Sequence, residues 1–200
     1  MIAIIDYGMG NLRSVQKAFA YLGEEAVITD DPARIAGAER VVLPGVGAFR
    51  DAIARLRDTG LDASVLRAAA SGKPLLGICL GMQLMYTWSE ENGHHEGLGL
   101  FPGGITRVEA PGLKVPHMGW NTIRTRPCPL FDGDQELCVY FVHSYCAAEI
   151  RDDITAAMCE YGSPFTAAAA RDNIMATQFH PEKSGAVGLE MLRRFAAFKA

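Results

Sequence analysis

The chain has 200 residues, 49% hydrophobic and 21% charged, which is enough for one substantial core and ordinary for a globular protein. Its formal net charge of −4 lacks the basic excess expected of a nucleic-acid binder. No run approaches the ~18 apolar residues of a membrane span, and residues 1–11 carry no basic leader region, so we expect no membrane segment, no signal peptide and a cytoplasmic location.

Residues 1–6 are a short apolar run, closed by Tyr7-Gly8-Met9-Gly10-Asn11. Leu12, Val15, Ala18, Phe19 and Leu22 then recur at three and four residues, which predicts a helix that Gly23 ends. A strand is predicted at 26–28 and another at 40–43, stopped by Pro44-Gly45-Val46-Gly47. Two helices follow, one carrying Ile53 and Leu56 and one over 63–70. Residues 74–78 predict a buried strand running into Cys79, and 81–88 predict a helix. This alternation predicts a parallel sheet covered by helices on both faces.

The pattern changes over 104–180, where strand-like pieces at 105–108, 137–142 and 174–179 predict antiparallel additions. Residues 165–171 have high helix propensity, but their place between short strands favours a strand. An amphipathic helix over 186–198, with Val187, Met191, Leu192 and Phe195, closes the chain. No linker or repeat interrupts it, so residues 1–200 are expected to form one α/β domain. The five cysteines are odd in number and none has C-x-x-C spacing, which argues against a disulfide framework or a zinc site.

Gly77-Ile78-Cys79-Leu80-Gly81 lies at a predicted strand-to-helix junction and has the G-x-C-x-G form of a nucleophile elbow. The flanking glycines allow close passage of the chain, and the Leu80 N–H points where an oxyanion could form. A thiol nucleophile needs a base, and the base needs an orienting group. Gln178-Phe179-His180-Pro181-Glu182 supplies both, with Pro181 expected to hold the chain extended so that His180 and Glu182 face the same way. Gly45-Val46-Gly47 after its own strand could turn N–H groups toward the same oxyanion. Three loops at strand ends would converge on one sheet edge and perform acyl transfer from an amide or ester through a thioester.

Other signals lead nowhere. Gly8-Met9-Gly10 is followed by Arg13 where a dinucleotide fingerprint needs glycine, and no P-loop is present. His94-His95-Glu96 sits in a polar stretch without metal-ligand spacing, so no metal or other cofactor is expected. His143 is expected to be a satisfied structural histidine.

Gly77-Ile-Cys-Leu-Gly-Met-Gln83 with His180-Pro-Glu182 resembles the signature of class I glutamine amidotransferase domains. Asp6-Tyr-Gly-Met-Gly-Asn11, Leu43-Pro-Gly-Val-Gly-Ala-Phe49, Pro116-His-Met-Gly-Trp-Asn121, Tyr140-Phe-Val-His-Ser-Tyr145 and His180-Pro-Glu-Lys-Ser184 resemble the glutaminase-subunit family of imidazole glycerol phosphate synthase. The resemblance spans the whole chain. It implies a flavodoxin-like α/β sandwich that hydrolyses glutamine to glutamate and ammonia. Cys79 would be the nucleophile, His180 the proton carrier and Glu182 its orienter, with Gly45, Val46, Gly47 and Leu80 at the oxyanion. Gln83, Tyr140, Ser144 and Tyr145 would hold glutamine. It also implies a heterodimer with a (β/α)₈-barrel cyclase that takes the ammonia through a channel and forms imidazole glycerol phosphate and AICAR in histidine biosynthesis. Asn11, His117, Trp120, Asn121 and Lys183 are the expected interface residues. In that family the isolated subunit is nearly silent, which implies that 44–47 rearranges on activation. Two alternatives stay open: a cysteine hydrolase or glutaminase serving another synthase, and a regulatory binding subunit with a vestigial triad.

Overall fold

The first half alternates as its periodicity predicts: β1 (Ile2–Ile5), α1 (Leu12–Tyr21), β2 (Ala26–Thr29), α2 (Pro32–Gly37), β3 (Arg40–Gly45), α3 (Phe49–Asp58), α4 (Leu61–Ala70) and β4 (Leu75–Cys79). The second half carries α5 (Leu80–Leu84), β5 (Tyr86–Ser89), β6 (His95–Glu96), β7 (Phe101–Arg107), β8 (His117–Thr125), β9 (Glu136–His143) and β10 (Tyr145–Cys146). It closes with β11 (Thr155–Tyr161), β12 (Ser163–Arg171), β13 (Ile174–Thr177), a 3₁₀ turn (Pro181–Lys183) and α6 (Gly185–Ala197). This computed structural model describes residues 1–199.

Nine strands form one sheet in the order β2-β1-β3-β4-β13-β12-β11-β8-β9. The pairs from β2 to β13 are parallel, and those from β13 to β9 are antiparallel. Strands β1, β4 and β13 are buried at every position, which is why they read as unbroken apolar runs. Strand β9 instead alternates toward its buried Val139, Phe141 and His143, as a half-covered antiparallel strand does. A second sheet, β10-β7-β5-β6, packs beside the first.

The core has two layers because successive side chains of a strand point to opposite faces. Ile2 and Ile4 join Phe19, Leu192 and Phe195 on one side; Ala3 and Ile5 join Ile35, Phe49 and Val65 on the other. Helix α6 lies close to the 3₁₀ turn. A Cβ on Gly188 would run into the Pro181 carbonyl oxygen, so only glycine allows this approach.

Several elements differ from expectation. The helix predicted over 81–88 ends at Leu84, and Tyr86–Ser89 is strand β5. Aromatic and β-branched Tyr86, Thr87 and Trp88 suit a pleated surface, and a neighbouring strand, β7, supplies the partner. Helix α2 was not anticipated, although Asp31 caps the Ala33 N–H at 2.8 Å and Pro32 opens the first turn. Strands β8 and β11 were also unforeseen. Residues 165–171 do lie in a strand, β12, between β11 and β13.

Candidate active site

Cys79 ends β4 and adopts φ 56°, ψ −112°, a left-handed conformation that costs a non-glycine residue on the order of 1–3 kcal/mol. The neighbours hold it there. A Cβ on Gly81 would collide with the Leu43 carbonyl oxygen, and one on Gly77 would come within 2.8 Å of Met85 Sδ. The chain therefore turns sharply against β3, and the sulfur is presented at the carboxyl edge of the sheet. The sulfur lies 3.9 Å from both the Val142 carbonyl oxygen and Gln178 Nε2.

The base arrives on the adjacent strand. Thr177 of β13 pairs in register with Ile78 of β4, and the chain continues through Gln178 and Phe179 to His180. The His180 N–H donates to the Tyr140 carbonyl at 3.0 Å, and Ser184 Oγ donates to the His180 carbonyl at 2.7 Å. Glu182 Oε1 accepts from His180 Nδ1 at 2.8 Å, with both side chains about as buried as any in the protein. Because a carboxylate only accepts, Nδ1 carries the hydrogen. His180 Nε2 is buried without a hydrogen-bond partner.

The route to this contact differs from the expected one. Pro181–Lys183 is a 3₁₀ turn, not an extended segment, and the turn brings the carboxylate back to the ring. Burial alone would lower the His180 pKa; the Cys79 sulfur and the Glu182 carboxylate outweigh it and raise the value to about 9.

A cavity of about 440 Å³ opens over Cys79. Of the residues expected at the site, Cys79, His180, Val46, Gly47, Leu80, Gln83, Ser144 and Tyr145 line it. Gly45 lies behind it, paired with Cys79; a Cβ there would meet Tyr7 Oη at 2.6 Å, so its part is close packing. Tyr140 also lies outside the lining: its ring packs edge-on to Trp120 at 6.0 Å, with Lys183 Nζ 5.9 Å above it. Glu91 is a lining residue that sequence reasoning missed. Its Oε2 accepts from the Phe49 N–H at 2.7 Å, at the start of α3. In a polar stretch beside Glu90 and Asn92, nothing in the chain singles it out.

From His143, itself in the cavity wall, runs a hydrogen-bonded chain whose direction can be worked out. His143 Nδ1 lies 3.0 Å from the Tyr145 carbonyl, which only accepts, so Nδ1 is the donor. Neutral His143 then offers Nε2 as acceptor to His117 Nδ1 at 2.9 Å, and His117 Nε2 accepts from Asn121 Nδ2 at 3.2 Å. Both rings are held neutral. Burial lowers the His117 pKa to about 4; burial, reinforced by His117 and His180, lowers that of His143 to about 3 despite its bond to Tyr145. His143 is thus satisfied, as expected.

His117 is a correction. It is only 3% exposed and stacks on Phe141 and Tyr161, so it cannot face a partner. Asn121 is turned toward it and toward the Glu160 carbonyl. Trp120 and its strand neighbour Met118 are the exposed ones, at 57% and 62%. Lys183 is exposed and Asn11 half-buried. Cys146 is buried outside the cavity lining, and burial pushes its thiol up to about 12. His94 stacks on Trp88.

A strained cysteine at a strand end, beside a buried histidine oriented by a carboxylate, defines a cysteine-dependent acyl-transfer site on a doubly wound sheet. The strand order β2-β1-β3-β4-β13 is the flavodoxin-like one. The family model of Glutamine amidotransferase class-I matches residues 3–197. Among solved structures of similar fold are that of PurLQS from Thermotoga maritima, with TM-score 0.78 and 19% identity over 98% of this chain and 96% of that one. Another is a glutamine amidotransferase crystal structure with TM-score 0.77 and 18% identity, covering 98% and 99%. Imidazole glycerol phosphate synthase subunit HisH of Syntrophotalea carbinolica is 55% identical over 98% of both chains, and that of Geobacter metallireducens 52% identical over 100% of this chain and 99% of its own. The chain belongs to the class-I glutamine amidotransferases and, within them, to the imidazole glycerol phosphate synthase HisH family.

Proposed function

We propose that this chain, working as one domain, hydrolyses glutamine at Cys79 and hands the ammonia to a (β/α)₈-barrel cyclase subunit in the formation of imidazole glycerol phosphate. The observation that carries the reading is the unpartnered, buried Nε2 of His180 beside the cavity that holds the Cys79 sulfur. That nitrogen, its pKa raised to about 9 beside the sulfur, already holds the thiol proton when the sulfur attacks the carboxamide carbon. The tetrahedral oxyanion is met by backbone N–H groups of 46–47 and Leu80. Collapse breaks the C–N bond, His180 returns the proton to nitrogen, and ammonia leaves behind a γ-glutamyl thioester. Water, deprotonated by the same nitrogen, then releases glutamate and restores the thiol.

Glutamine also carries an ammonium and a carboxylate. Glu91 is the carboxylate lining the cavity among the described residues and suits the ammonium. Gln83, Ser144 and Tyr145 supply the polar wall, and Tyr140 contributes from outside through the His180 N–H. Exposed Met118 and Trp120, with Lys183 beside them, form an apolar patch with a cationic edge that fits a partner surface. Asn11, half-buried at the start of α1, is the remaining candidate for this interface. Among the described residues no helix is long and apolar enough to cross a membrane. The biosynthetic role of the family is the ground for a proposed cytoplasmic location. Glutamate release should depend on Cys79 and rise on addition of the barrel subunit. Turnover by Cys79→Ala would sink the chemistry; failure of the barrel subunit to bind or stimulate would sink the partner.

A further inference from the structure

Gln178 stands two residues before His180, is fully buried, and has no part in the triad. Register explains its place: the residue after Thr177 runs alongside Cys79 just as Thr177 runs alongside Ile78. The orientation of its amide follows from its neighbours. The Tyr145 carbonyl only accepts, so Gln83 must turn its NH₂ toward it, at 2.8 Å. The same NH₂ lies 3.0 Å from Gln178 Oε1 and donates to it. That fixes Oε1 on the Gln83 side and leaves the Gln178 NH₂ facing the Cys79 sulfur at 3.9 Å. Besides His180, the Val142 carbonyl also lies near the sulfur; it can accept from a thiol but cannot donate to a thiolate.

We infer that Gln178 is a positioning residue for the reaction, its side-chain NH₂ donating a hydrogen bond to the Cys79 sulfur once the thiol proton has passed to His180. No covalent bond is made to Gln178; the proton moves from Sγ to Nε2, and the negative sulfur exchanges the Val142 carbonyl for the amide N–H. The Tyr145–Gln83–Gln178 chain is what prevents the amide from flipping and presenting oxygen instead. A cavity-lining residue, Gln83, thus holds the residue that holds the nucleophile. The inference rests on Cys79 being the nucleophile, as proposed above.

The test is inactivation by 6-diazo-5-oxonorleucine, an electrophilic glutamine analogue, resolved into kinact and KI. Gln178→Met keeps the volume and removes the donor. Its kinact should fall about tenfold or more, the usual worth of a hydrogen bond to a charged group, with KI within about threefold of wild type. Gln178→Glu keeps the acceptor for Gln83 but places oxygen against sulfur, and should fall further. His180, which titrates at about 9 beside the sulfur, should titrate lower in Gln178→Met. A folded Gln178→Met with wild-type kinact overturns the inference. Should both variants fail to fold, the Gln178 side-chain amide resonances of the wild type and Cys79→Ala decide it: a shift on loss of the sulfur supports the bond, and coincident resonances overturn it. Labelling that persists in Cys79→Ala would instead overturn the nucleophile assignment.

Discussion

The parallel and antiparallel halves of the large sheet build the same cavity by different means. On the parallel side the main chain sets positions. Cys79 is held by its left-handed φ and by Gly81 pressed on the Leu43 carbonyl, and the 3₁₀ turn by Gly188 pressed on the Pro181 carbonyl. On the antiparallel side side chains do it, through Asn121, His117 and His143 to the Tyr145 carbonyl. Backbone contacts of the first kind tolerate no added atom, because a carbonyl cannot rotate away. Contacts of the second kind tolerate changes of volume but not the loss of a donor.

The largest effect should be that of Cys79→Ala, which we expect to lower glutamine turnover at least about 10⁴-fold with the fold intact, as measured by glutamate release and circular dichroism. Next come two single-carbon additions. Gly81→Ala and Gly188→Ala each force backbone to move, and should cut turnover by about 100-fold or more while lowering the melting temperature. Wild-type rates in either would break the claim that main-chain contact positions the triad. His117→Phe keeps the stacking but leaves His143 Nε2 without its donor. It should cost about 1–3 kcal/mol in urea unfolding, with a smaller effect on rate than either glycine variant.

The two halves should also oppose each other in pH. The His180 pKa is raised, so its contribution to stability is full below about 6.5, the unfolded value, and is lost as pH rises through about 9. The His117 and His143 pKa values are lowered, so theirs is full above about 6.5 and is lost as pH falls toward about 4 and about 3. Unfolding free energy should therefore fall in both directions from near pH 6.5. The His117→Phe variant should flatten the slope between about pH 5 and 6.5, and His180→Gln the slope from about 7 to 9. Identical slopes in variants and wild type would dissolve the contrast. The smallest effect on the chain itself belongs to Trp120→Ala, within about 0.5 kcal/mol because the ring is 57% exposed. The same change should weaken capture of the barrel subunit at least about tenfold by calorimetry.

The parallel half was largely legible because its signals are local. Gly77 to Gly81 and His180 to Glu182 each declare their geometry within a few residues, and buried strands leave unbroken apolar runs. Even there the H-P-E contact was foreseen in an extended chain, whereas a proline-started 3₁₀ turn makes it. The antiparallel half was less legible because its facts depend on register and facing. His117 and Trp120 are three apart on β8, and odd spacing puts them on opposite faces; strand β8 had first to be seen for that to matter. Tyr140 shares a face with Val142 but sits too far along β9 to reach the cavity. Glu91 enters only because its loop folds back to the start of α3.

Strand β13 fills the slot between β4 and β12, yet it is made from residues 174–177 of 200. During synthesis, a ribosome-bound chain carries the elbow cysteine long before His180 can reach it. The β4 edge away from β3 stays open, beside apolar Leu75, Leu76 and Ile78, until β13 emerges. Translation products that stop before β13 should therefore be inert toward glutamine and prone to aggregate.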